Sequence, residues 1–87
     1  MRPDAWRKLK GFSRAKLAEM MSTTEVTVFR HETGLRLPPP PAQVRYSEIT
    51  EGAVTPADWV ELWSDPAAVK ARAEETETRM KRKAAAA

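Results

Sequence analysis

With 87 residues, 41% of them hydrophobic and including three Trp, two Phe and one Tyr, the chain can build one small helical core but no elaborate active site. The absence of cysteine excludes a disulfide framework and a thiolate metal site, and no apolar run approaches a membrane span or the apolar stretch of a signal peptide. The net charge of +3 is uneven: residues 1–36 carry eight Lys/Arg against four acids, residues 37–63 one against four, and residues 64–87 six against four.

Taken from the start, Pro3 and Asp4 suit the first turn of a helix, Gly11 ends it, and Trp6 and Leu9 are expected to face the core. Phe12 leads into Ser13, a capping residue for a second helix running to about Met21, with Leu17, Ala18 and Met21 on one apolar face. Ala18 sits where two crossing helices come closest. Ser22 and Thr23 make a tight turn, and Thr24 caps a third helix in which Val28 and His31 point inward. Glu25, Val26, Thr27, Phe29 and Arg30 lie on its outward or N-terminal side, and Gly34 stops it. The expected core of this half is Trp6, Leu9, Phe12, Leu17, Met21 and Val28. Two short helices joined this tightly have the layout of a DNA-reading helix-turn-helix, and the positive excess of residues 1–36 suits phosphate contacts.

Pro38 to Pro41 read as a stiff extended spacer, with a surface for proline-binding domains as the other reading. A fourth helix from Pro41 or Ala42 to about Thr50 is expected to bury Val44 and Ile49, with Tyr46 near its rim, and to stop at Gly52. Thr55-Pro56-Ala57-Asp58 is a strong start signal for a fifth helix that presents Trp59, Leu62 and Trp63. Those three side chains close the core or form a dimer interface. After Asp65-Pro66, residues 67–83 favour helix, with Glu75 to Arg79 and Glu77 to Lys81 spaced for pairing. Their apolar stripe, Val69, Ala73, Thr76 and Met80, is a poor heptad: a weak coiled-coil arm, a helix docking a partner such as RNA polymerase through residues 66–83, or a solvated tail, the last being the default. Lys81-Arg82-Lys83 add non-specific phosphate contacts in this reading, and the terminal alanines are given no function.

The segment SRAKLAEMMSTTEVTVFRHETG, residues 13–34, resembles the helix-turn-helix of Cro and phage repressors, also called the xenobiotic-response-element family. Ser13, Leu17, Ala18, Thr24, Val28, Glu32 and Gly34 occupy the family's pattern positions. Arg14, Ser22 and His31 depart from it, replacing the usual glutamine, turn glycine, and tryptophan or leucine. A left-handed Ser22 would cost about 1 kcal/mol. The resemblance reaches back to Arg7 and forward to about Asp58, where Ile49 to Asp58 is similar to the fourth-to-fifth helix junction of small phage-like regulators.

That resemblance implies an all-α, compact five-helix phage-repressor-like DNA-binding domain over residues 1–63, followed by a charged C-terminal helix or tail over residues 64–87. It implies a sequence-specific regulator of transcription, phage- or prophage-like, with residues 24–33 in the major groove. The implied base-contacting set is Glu25, Val26, Thr27, Phe29 and Arg30. Phosphate contacts fall to Arg14, Lys16, Thr24 and Arg36, and Arg7 and Glu32 form a structural pair. The implied partners are duplex DNA and a second copy in a homodimer, in a bacterial cytoplasm close to the nucleoid. His31, the only histidine, is a packing residue, and no metal or other cofactor is expected. Two alternatives stand beside this reading: a DNA-binding antitoxin whose C-terminal helix wraps a toxin, and a protein-interaction module that keeps the fold. No nucleophile, carboxylate pair or phosphate loop points to an enzyme.

Overall fold

The computed structural model describes residues 1–86 and is all-helical: α1 (Pro3–Leu9), α2 (Arg14–Met21), α3 (Glu25–Thr33), α4 (Pro40–Ile49), α5 (Pro56–Ser64) and α6 (Pro66–Ala86). Among the terminal alanines, Ala87 lies outside the described residues. No described helix is long and apolar enough to cross a membrane.

Local chemistry sets most of these boundaries. Ser13 Oγ accepts from the Lys16 amide and Thr24 Oγ1 from the Thr27 amide, each satisfying an amide that the first turn leaves unpaired. Thr55 and Asp58 cap α5 reciprocally, each side chain accepting from the other's backbone N–H. Proline stands in the first turn of α1, α4 and α5, where its missing N–H costs nothing. The proline run is therefore not a spacer throughout: Pro39 is extended at the N-cap, and α4 begins at Pro40. Pro38 is buried, its carbonyl accepting from Gln43 Nε2.

Trp6 from α1, Leu17, Ala18 and Met21 from α2, Val28 from α3, Tyr46 from α4 and Trp59 and Leu62 from α5 form one core with Val54. Several assignments change here. Leu9 is 70% exposed, because the short α1 turns Pro3, Trp6 and Arg7 inward and Leu9 lies about 200° around the helix from Arg7. Phe12 is only half-buried, against the Trp6 ring. On α4 the inward row is Tyr46 with its neighbours a turn away, Ala42 and Thr50. Val44, five positions from Ile49 and on a different face, is exposed. Tyr46 is fully buried rather than at a rim, since its hydroxyl finds a partner inside: Oη lies 2.9 Å from His31 Nδ1.

Trp59 and Leu62 are also withdrawn from the surface. Trp59 stacks at a tilt on Tyr46, with ring centroids 4.9 Å apart, and lies edge-on to His31, so neither it nor Leu62 is free to form a dimer interface. Its Nε1 is buried with no hydrogen-bond partner among the described residues. Trp63 alone of the three is exposed, and the Arg72 guanidinium covers its ring at 3.5 Å from the centroid.

The first half of α6 is not a solvated tail. Ala68 is buried against the end of α3, where a Cβ built on Gly34 would come within 2.6 Å of the Ala68 Cβ. Arg72 donates to the carbonyls of Gly34 (2.7 Å) and Trp63 (2.8 Å), two acceptors at helix ends that lack helical partners. Arg36 pairs with Glu75 at 2.6 Å. The inward face of α6 is thus Ala68, Arg72 and Glu75, and the apolar stripe assigned from sequence faces out, with Val69 and Met80 exposed.

Two backbone positions give opposite expectations. Ser22 adopts the left-handed conformation (φ 56°, ψ 45°) that costs a side-chain-bearing residue about 1–2 kcal/mol, so Ser22→Gly should raise stability by about 1 kcal/mol in urea denaturation. Gly34 has φ +76° and Ala68 against it, so Gly34→Ala should lower stability by more than about 1 kcal/mol, with partial recovery in Gly34→Ala/Ala68→Gly.

Burial holds the His31 imidazole below its ordinary value of 6.5. The unfolded chain then binds the extra proton first, so this contribution to stability is complete above pH 6.5 and declines below it, by up to about 1.4 kcal/mol per pH unit. Asp65 and Glu75, held below the usual carboxylate range by hydrogen bonds from Arg2 and Arg36, lose their contributions only at more acid pH. Urea midpoints should fall between pH 6.5 and 5 in the native chain and stay flat over that range in His31→Gln.

Candidate nucleic-acid interface

The site is organised by α3, whose inward side is fixed by Val28, His31 and Glu32 and whose outer side is open. Glu32 lies one turn after Val28, so the period that drives Val28 into the core carries the carboxylate inward as well. A buried carboxylate needs compensating charge and donors, and two helices supply them. Arg7 of α1 approaches side-on: its Nε is 2.7 Å from Glu32 Oε2 and its Nη2 is 3.1 Å from Oε1, a two-bond fork. Arg14 of α2 adds Nε at 3.0 Å from Oε1. Arg7 also donates to the Phe12 carbonyl, tying the α1–α2 junction to the same group. Its pKa is pushed above the ordinary arginine value, chiefly by the hydrogen bond to Glu32.

The outer side of α3 carries Glu25, Val26, Phe29 and Arg30, all exposed, with Thr27 half-buried beside them. Val26 is 55% and Phe29 41% exposed, so this face presents two apolar side chains beside Glu25 and Arg30. Phe29 is steadied by Arg14, whose guanidinium lies 5.1 Å from the ring centroid. A shallow depression bounded by Arg7, Ser13, Arg14, Glu25, Val26 and Phe29 runs between the starts of α2 and α3. Thr27 Oγ1 lies 2.9 Å from Thr24 Oγ1, so both hydroxyls are engaged at the cap.

The four residues assigned to phosphate contact are not equivalent. Lys16 is exposed, with Glu19 only at 3.9 Å. Arg14 divides its guanidinium between Glu32 and Phe29 and remains 43% exposed. Arg36 is drawn to Glu75 of α6, and Thr24 is committed to capping. Sequence reasoning missed the Arg36 and Arg14 engagements, because each depends on a partner 39 or 18 residues away. It also missed α6 as a neighbour of this face. Arg30 lines a cleft with Glu75, Thr78, Arg79 and Arg82. The one available signal was the Glu75, Arg79, Arg82 spacing, which puts all three on a single helix face.

Removing Glu32 leaves Arg7 buried without its counter-charge, so Glu32→Ala should cost about 3–5 kcal/mol, measured by urea or thermal unfolding. Replacing both charges, as in Arg7→Met/Glu32→Leu, should cost much less than Glu32→Ala alone, because no uncompensated charge remains inside.

Comparison with protein-family models, with curated proteins and with solved structures finds no match to this chain.

Proposed function

We propose that this protein is a sequence-specific double-stranded DNA-binding regulator of transcription, of the phage-repressor type, that reads the major groove with α3. The observation that carries the reading is the exposed outer face of α3, with Glu25, Val26, Phe29 and Arg30 on a helix fixed from behind by Arg7, Glu32 and Arg14. At 1.5 Å per residue the nine residues of α3 span roughly 13 Å, and a helix of about 10–12 Å diameter fits a major groove about 12 Å wide.

The chemistry of that face suits base edges. Arg30 has the fork that pairs with guanine O6 and N7, Glu25 accepts from cytosine N4, and Val26 or Phe29 packs on a thymine methyl. Lys16, exposed on α2, is the phosphate contact least tied to other groups, and Arg14 combines phosphate attraction with its structural bond. A homodimer belongs to this reading, with the exposed Val60 and Trp63, three residues apart on one face of α5, as its candidate surface in place of Trp59 and Leu62.

Selection of bound duplexes from a randomised pool, at near-physiological salt, tests the proposal. A pseudo-palindrome with half-sites about 34–36 Å apart is the expected product, and no enrichment would overturn the assignment. On the selected duplex Arg30→Ala should cost about 1–3 kcal/mol and relax one base position. Lys16→Ala should weaken selected and random duplexes alike and reduce the salt slope by about 1.

A further inference from the structure

The long helix α6 extends the molecule to 47 Å against 24 and 23 Å in the other directions, and its inward face does not end where its packing ends. Ala68, Arg72 and Glu75 hold it to the body, and the same face continues one and two turns later as Arg79 and Arg82. There it borders α3: Arg30, Arg79 and Arg82 converge on one cleft with Thr78 and the Glu75 carboxylate. Glu75 accepts from Arg36 at 2.6 Å and from Arg79 at 2.9 Å, so a single oxygen already anchors two guanidiniums at the edge of that cleft. Neither Arg30 nor Arg82 has an ion-pair partner within 4.0 Å among the described residues. Arg82, with no ion pair of its own, thus stands beside the Glu75-held Arg79 and next to Arg30, a setting for a phosphodiester oxygen at the edge of the face that Arg30 presents.

We propose that α6 is a second DNA-contacting element, and that Arg82, with Arg79 beside it, binds a backbone phosphate flanking the base pairs read by the C-terminal half of α3. The inference rests on the reading that α3 enters the major groove, since Arg30 is then the residue that reaches a base while its cleft neighbours face the adjoining strand. Glu75 is a positioning residue: through Arg36 it sets how closely α6 lies along the end of α3. The cleft thereby adds affinity without adding sequence preference. Phosphate contact through Arg82 also gives the C-terminal positive charge a defined target, in place of a diffuse attraction.

The test compares the full chain with Arg82→Gln, Arg82→Lys and Lys70→Gln by fluorescence anisotropy on the selected duplex and on a random duplex from 50 to 200 mM salt. Lys70 lies on α6 roughly 140° around the helix from Glu75, so its variant removes the same charge from the opposite face. Arg82→Gln should weaken both duplexes equally and reduce the salt slope by about 1, so that the native chain's advantage shrinks about threefold across that salt range. Arg82→Lys should retain most of the slope, and Lys70→Gln should leave it unchanged. Native binding with no effect of Arg82→Gln, an equal effect of Lys70→Gln, or tighter binding by Arg82→Gln would overturn the α6 contact and leave the α3 reading standing. Absence of duplex binding by the native chain would overturn both.

Discussion

The Glu32 carboxylate is inside the protein, between guanidiniums that arrive from α1 and α2, and its own backbone belongs to α3. Three helices therefore share one charged junction. An apolar contact in its place would tolerate sliding and rotation, whereas a forked arginine–carboxylate contact fixes both distance and plane. The rotation of α3 about its own axis is set by this junction on one side and by Val28 and His31 on the other. Which side chains reach the outer surface follows from that rotation: a shift of one residue, about 100°, would turn Phe29 and Arg30 away and bring other side chains forward.

The opposite end of α3 is governed by size. Gly34 leaves room for Ala68, and the close approach lets Arg72 reach two helix-end carbonyls at once. Arg72 also covers Trp63, so one guanidinium closes two polar ends and an aromatic face. The body and α6 are joined through small residues and charged side chains, while the core proper lies among α1 to α5. The placement of Arg79 and Arg82 next to Arg30 is a downstream result of this arrangement.

Helix starts and stops were legible because they are local: Ser13, Thr24 and Thr55 cap through bonds spanning three residues, and the left-handed turn and Gly34 lie where the spacing puts them. The direction of side chains in short, weakly amphipathic helices was less legible. α1 has seven residues and α4 mixes apolar and polar positions, so hydrophobicity points to Leu9 beside Trp6 and to Val44 beside Ile49, whereas the helix geometry turns Trp6 but not Leu9, and Tyr46 but not Val44, into the core. The burial of Tyr46 is not legible locally because it depends on a hydrogen bond with His31 of a different helix. The outer face of α3 could be listed from its period, but the engagement of Arg36 and the approach of α6 depend on contacts between residues 36 and 75 and between 34 and 72.

The manner of α6 attachment also shapes the stability profile of the molecule. A helix held by one crowded small-residue contact and a few arginine bonds removes little apolar surface from water compared with the aromatic cluster of Tyr46 and Trp59. Such an element forms its own cooperative unit, opening at a lower free energy than the five-helix core. Amide hydrogens of α6 then exchange with solvent through partial opening, while those around Val28 and Tyr46 wait for global unfolding. A ligand that bridges α3 and α6 draws these two units into one, and slows exchange in α6 far more than in the core.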